Sequence, residues 1–171
     1  MTLGILSDTH GYIHPTLTDA LAGVDLILHA GDIGSAQVLE ALEALAPVRA
    51  VYGNVDGQAL RHRVPAEQQF DVDGLRFWMT HIAGRPGRWQ RGMGQALAAE
   101  PPDVFVCGHS HILRIERVRA LGNLLFVNPG AAGRQGFHQQ KTCLRMHIHG
   151  GALHEAEVIH LDAEADAEAR A

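Results

Sequence analysis

Three short apolar runs, residues 2–7, 25–30 and 47–52, are separated by segments of helical periodicity. Strand, crossover and strand repeated in this way commit a chain to a parallel sheet carrying helices on its face. Pro15 suits a first helical turn, Leu17 and Leu21 fall on one side, and Gly23 supplies a stop. The next segment, Ser35 to Leu45, sets Val38, Leu39, Leu42 and Leu45 on one face behind a Ser35 cap. The second half reads differently. Runs at 75–80, 103–107, 112–118, 123–127, 142–148 and 152–160 are mostly short and β-like. One helix is expected there, from Arg88 to Glu100, with Trp89, Met93, Ala96 and Leu97 on one side and Pro101-Pro102 as its stop. The pattern as a whole predicts an α/β fold: two packed mixed β-sheets flanked by helices, forming one domain over residues 1–162, with an Ala-rich and acidic tail at 163–171.

At 171 residues the chain is long enough to bury roughly two-thirds of the surface it exposes when unfolded, so a hydrophobic core suffices to hold it together. No apolar stretch approaches the ~18 residues of a membrane span, and the N-terminus has no basic region before its apolar run, so a cytoplasmic protein is expected. Cys107 and Cys143 sit inside apolar runs, which predicts buried thiols and not a disulfide framework. A net charge of -5 without a basic cluster argues against binding to long nucleic acid, although a small phosphate ester stays within reach. Self-association is compatible with two apolar sheets, but no stretch marks an interface.

Five short motifs follow β-type runs: Asp8-Thr9-His10, Gly31-Asp32, Gly53-Asn54, His81, and Gly108-His109-Ser110-His111. The carboxyl ends of strands in α/β sheets converge on one rim, where ligand sites form, so residues a hundred positions apart can meet. Two carboxylates, four imidazoles and one amide oxygen make a donor set suited to Mn, Fe, Zn or Ni. Two neighbouring cations need a shared anionic ligand to offset their repulsion, and Asp32 in its glycine-preceded loop is the natural bridge. Glycines at 31, 53 and 108 are expected to permit the backbone bends of these turns.

Taken in order, Ser7-Asp8-Thr9-His10-Gly11, Gly31-Asp32, Gly53-Asn54-Val55-Asp56, Thr80-His81, Gly108-His109-Ser110-His111 and Asn128-Pro129-Gly130-Ala131-Ala132-Gly133 resemble the calcineurin-like metallophosphoesterase superfamily over residues 4–133. Short length and the last segment look most similar to its small YfcE-type phosphodiesterase branch. The resemblance implies a two-sheet sandwich and a dinuclear site. Asp8, His10 and His111 would bind one metal, Asn54, His81 and His109 the other, and Asp32 both. The expected cofactors are two divalent ions, manganese first, with Fe, Ni or Zn as alternatives. Many members carry a histidine after the asparagine, used on the phosphate or the leaving group, where this chain has Val55, which cannot transfer a proton.

The expected chemistry is hydrolysis of a small phosphodiester, with a cyclic nucleotide as one candidate, by in-line attack of a water that has lost its proton between two metals. Two divalent cations, two aspartates and a hydroxide leave a net charge of about +1, which a diester cancels and a monoester, at about -1.5 to -2, over-neutralises. Arg85, Arg88 or Arg134 nearby would shift that balance. Asp32, Asn54 and His138 are the catalytic candidates, His138 as the proton donor in the segment after the Asn-Pro-Gly loop; a surface role is its plain alternative. His29 either supports the site or packs in the core. His147 and His149 share one face of a strand, His14 marks a helix start, and His62, His154 and His160 have no ligand partner at useful spacing. The Gly/Arg loop from Ile82 to Trp89 is either a wall of the substrate site or plain surface. Two other functions stay in view: a non-catalytic scaffold of the same fold, and a phosphomonoesterase.

Overall fold

The computed structural model describes residues 1–162; the acidic tail expected at 163–171 lies outside them. Five strands form the first sheet. Strands β1 (Thr2–Leu6), β2 (Leu26–His29) and β3 (Val48–Ala50) run parallel, as the βαβ pattern requires. A late hairpin, β11 (Thr142–His149) and β12 (Ala152–His160), adds antiparallel to the free edge of β1. Gly150 and Gly151, both left-handed, make the two-residue turn of that hairpin.

The second sheet also has five strands. Its centre is parallel: β5 (Leu75–Thr80), β8 (Val104–Val106) and β10 (Leu124–Asn128). Its edges, β4 (Glu67–Val72) and β9 (Arg114–Val118), are antiparallel. The fold is therefore the expected pair of mixed sheets with helices outside.

Alternation along the strands explains the layering. Leu3 and Ile5 face inward, where with Leu28 and Val51 they meet Phe77, Met79, Val104, Val106, Leu125 and Val127 of the other sheet. The intervening Leu6 and Ile27 face outward, under helices α1 (Leu17–Ala20) and α2 (Ala36–Glu43), which press Leu17, Val38, Leu39 and Leu42 against them. On the far side Trp78, Phe105 and Phe126 pack beneath helix α4 (Met93–Ala99), whose Leu97 is fully buried. Each such large side chain contributes roughly 1.5–3 kcal/mol by leaving water.

Three expectations are corrected. The Ser35 side chain makes no capping bond, although Ser35 does stand in extended backbone at the start of α2; Leu45 lies past the end of that helix and is exposed. Helix α4 begins at Met93 and not at Arg88, because Gly84–Arg85 (β6) and Arg88–Trp89 (β7) pair as a small hairpin and the left-handed Gly92 breaks the chain before the helix. Two elements were not anticipated: the short helix α3 (Gln58–Arg63) and the edge strand β4. Among the described residues no helix is long and apolar enough to cross a membrane. Cys107 and Cys143 are free and buried, and burial pushes both thiols up to about 12.

Candidate metal centre

Every motif singled out above lies just past the end of a parallel strand: Asp8 past β1, Asp32 past β2, Asn54 past β3, His81 past β5 and His109 past β8. The carboxyl edges of both sheets meet there, and two groups of donors form. In one, Asp8, His10 and His111 hold their ligand atoms within 4.8 Å of one another; in the other, Asp32, His81 and His109 do the same. Asn54 joins the second, its Oδ1 3.1 Å from His81 Nε2. Asp32 stands between the two, with Oδ2 3.3 Å from His81 Nε2 and 3.9 Å from His10 Nε2. Carboxylate, imidazole and amide donors converging in this way fit two divalent cations, the shared carboxylate supplying negative charge where their repulsion is greatest.

Five of the seven donors adopt left-handed backbone: Asp8, His10, Asp32, His109 and His111, with φ between 49° and 69°. Non-glycine residues rarely accept such angles, and strain of this kind is held only where surrounding bonds over-determine it. Those bonds are present. Asp8 N–H donates to Gly31 O at 2.9 Å and His10 N–H to Asp32 O at 2.9 Å, so the first two loops lock edge to edge. The Asp8 carboxylate in turn accepts the His109 N–H, at 3.1 and 3.3 Å to its two oxygens.

The glycines act in two ways. Gly31 is left-handed (φ 95°), as expected of a bend, and a Cβ there would also lie 2.6 Å from His81 Nδ1. Gly53 and Gly108 are not left-handed, which corrects the expectation for both. They are small because functional side chains lie on them: a Cβ on Gly53 would strike Asp32 Oδ1, and one on Gly108 would strike Ser7 Oγ and approach Asp8 Oδ2 at 2.8 Å.

Hydrogen bonds settle which atoms face inward. Val55 N–H donates to Asp32 Oδ1 at 3.0 Å, which leaves Oδ2 for the histidines. Burial pushes the Asp32 carboxyl up, but the bonds from His81 and Val55 and the nearby His10 outweigh it and hold the group below its ordinary range. His81 Nδ1 lies 2.8 Å from Ala30 O, a carbonyl that can only accept, so Nδ1 carries a proton and Nε2 points into the site. Burial draws the His81 ring down, yet Asp32 and Asp8 beside it raise its pKa overall. His10 is lowered by burial, whereas the bond to Asp8 raises His111.

Three supporting groups went unassigned in the sequence. Asp56 is buried and accepts N–H bonds from Ile33, Gly34 and Gly53 at 3.1, 2.7 and 2.7 Å, fastening the Asp32 loop to the Asn54 loop. Asn128 bonds Gly108 O, Ser110 Oγ and Gly130 N–H, bracing the His109 loop. Thr9 Oγ1 donates to Ile33 O and accepts from His29 Nε2 at 2.9 Å, while His29 Nδ1 accepts the Gly31 N–H. His29 is thus both packed and supporting, and burial pushes its pKa down to about 4. The signal for Asp56 was its place two residues after Asn54, just before Gly57.

His138 lies beside the first donor group, its Nδ1 3.3 Å from His111 Nδ1 and its Nε2 2.9 Å from Gly133 O. Val55 is half exposed at the rim. His14 bonds Thr16 and Asp162, His147 bonds Thr2, and His149 is exposed beside His154. The Gly/Arg loop forms the β6–β7 hairpin.

Known proteins share the sequence pattern and the fold of this chain. Residues 1–151 match the calcineurin-like phosphoesterase superfamily domain. The chain is 37% identical over 142 residues to a probable metallophosphoesterase of Methanothermobacter thermautotrophicus, covering 77% of each. A crystal structure of a predicted phosphoesterase from Streptococcus pneumoniae superposes with a TM-score of 0.70 at 22% identity, over 94% of this chain and 90% of that one. Vps29 of Chaetomium thermophilum superposes with a TM-score of 0.74 at 15% identity, over 94% and 96%. With its whole donor-bearing segment inside the matched region, the chain belongs to the calcineurin-like phosphoesterase superfamily.

Proposed function

We propose that the protein is a phosphodiesterase of the small YfcE-type branch, acting in the cytoplasm on a small phosphodiester at a dinuclear, manganese-preferring centre. One observation carries this: Asp32 Oδ2 lies between the two donor groups, within 3.3 Å of His81 Nε2 and 3.9 Å of His10 Nε2. Asp8, His10 and His111 would hold one cation, Asn54, His81 and His109 the other, with Asp32 shared. When bound, such a pair activates water near neutral pH and stabilises charge on phosphoryl oxygens.

The chain's own residues orient and tune this site. Asp32 is kept ionised, and its free oxygen is chosen by the Val55 N–H on the other one. Ala30 O fixes the His81 ring. The cleft beneath the β6–β7 hairpin, of a size that suits a small molecule, takes the ester substituent, with Arg85 and Arg88 facing its negative charge. Cations, aspartates and hydroxide alone balance a diester, while Arg85 and Arg88 add positive charge along the adjoining cleft, so matched mono- and diesters are the test of substrate class.

A non-catalytic scaffold is the competing reading, favoured by the likeness in fold to Vps29. Chelator-stripped protein reloaded with Mn²⁺ and assayed on bis(p-nitrophenyl) phosphate and p-nitrophenyl phosphate separates the cases. Metal-dependent turnover with higher kcat/KM on the diester, abolished by Asp32→Ala, is expected. A clear monoester preference overturns the substrate class, and tight metal binding without turnover of either ester overturns the enzyme.

A further inference from the structure

The segment after the Asn-Pro-Gly loop closes a ring of contacts back onto the site. Gly133 N–H donates to Asp8 O at 3.1 Å. Gly133 O accepts from His138 Nε2 at 2.9 Å, since a carbonyl cannot donate. A neutral imidazole that donates through Nε2 presents Nδ1 as an acceptor. That Nδ1 lies 3.3 Å from His111 Nδ1, with the two rings edge to face at 80°. An acceptor pairs only with a donor, so His111 carries a proton on Nδ1 and turns Nε2, the nitrogen that bonds Asp8, toward the donor group. His111 Nε2 lies 3.2 Å from Asp8 Oδ1 and 3.4 Å from His10 Nε2, which returns the circuit to its start.

The local backbone is shaped around this contact. Gly136 is left-handed (φ 117°), and a Cβ on it would strike His111 Nδ1, lie 2.8 Å from His111 Cε1 and come within 3.1 Å of His138 Nδ1. Only glycine lets the two rings meet. Both nitrogens of His138 are engaged, so neither is free to deliver a proton to a leaving group.

We propose that His138 is a positioning residue: it fixes the tautomer and orientation of His111 and thereby sets the cation affinity of the Asp8, His10 and His111 group. The proposal rests on the dinuclear reading of the site. Partners that orient a metal-ligating histidine through its other ring nitrogen typically change metal affinity 10–100-fold when removed.

The test is isothermal titration of chelator-stripped wild type, His138→Leu and His138→Asn with Mn²⁺, followed by turnover of bis(p-nitrophenyl) phosphate and of a glycerophosphodiester at saturating Mn²⁺. In His138→Leu one of two Mn²⁺ affinities is expected to fall about 10–100-fold with the other unchanged. His138→Asn, whose Oδ1 can accept from His111, recovers most of it, and Gly136→Ala reproduces the leucine phenotype by pressing on the same contact. Nitrophenolate leaves without a proton and the glycerol alkoxide does not, so a positioning role leaves the ratio of the two activities at its wild-type value. Two unchanged Mn²⁺ affinities in His138→Leu, or a loss confined to the glycerophosphodiester, overturns the proposal. Wild type that binds two Mn²⁺ but hydrolyses neither ester overturns the proposed function instead, and the titration then still decides the role of His138.

Discussion

Replacing Asp56 by asparagine tests whether the site is held from behind. The carboxylate is 2% exposed and accepts three backbone N–H bonds, Gly34 on Oδ1 and both Ile33 and Gly53 on Oδ2. Asparagine offers one acceptor atom where three donors converge. In its better orientation the amide oxygen serves Ile33 and Gly53, and the NH₂ is forced against the Gly34 N–H. Two charge-assisted bonds become neutral ones and the third is lost. With charge-assisted bonds worth about 1.5–3 kcal/mol and neutral ones about 0.5–1.5, the expected loss of stability is about 3.5–6 kcal/mol. Chemical denaturation of metal-free protein measures it, and Mn²⁺ titration of the folded fraction should show weaker binding, because Ile33 and Gly53 flank Asp32 and Asn54. A loss below about 1 kcal/mol, the worth of a single neutral bond, would refute the view that Asp56 fastens the two loops.

Two further outcomes follow from groups near the site. His29 is buried with a pKa of about 4 against an ordinary value of 6.5, so between these pH values the unfolded chain takes up the proton first and stability falls as pH drops. The stability difference between wild type and His29→Gln, measured by urea unfolding with chelator present, should shift by about 2 kcal/mol between pH 7 and pH 5, against the wild type at the lower pH; a constant difference contradicts the assignment. Gly53→Ala places a methyl against Asp32 without demanding a forbidden backbone angle. It should cost about 1–3 kcal/mol and weaken Mn²⁺ binding, and wild-type values for both would show that Asp32 can move aside.

The layered architecture was legible because Leu3, Ile5, Leu28 and Val51 sit in runs that only a strand between packed layers explains. The donor residues were legible because ligand chemistry restricts each position to a few side chains. What escaped was governed by contacts between distant segments. Strand β4, Glu-Gln-Gln-Phe-Asp-Val, has a polar composition and owes its conformation to its ladder with β5. Its one local signal was Asp73-Gly74, both left-handed, the two-residue turn that joins it to β5. The left-handed backbone of Asp8, His10, Asp32, His109 and His111 left no mark either, since those residues are specified by their donor atoms and the angles by loops that lock together across the sheet edge. Gly53 and Gly108 were recognised as necessary for a reason that proved different: the room they leave belongs to Asp32, Ser7 and Asp8.

Sharing of one carboxylate, Asp32, by two cations is what the proposed chemistry requires. Anomalous diffraction from crystals grown with Mn²⁺ would locate them. Two peaks per chain are expected, roughly 3.5–4 Å apart, with Asp32 between them, Asp8, His10 and His111 around one and Asn54, His81 and His109 around the other. A single peak, or two ions too far apart to share Asp32, would contradict that chemistry.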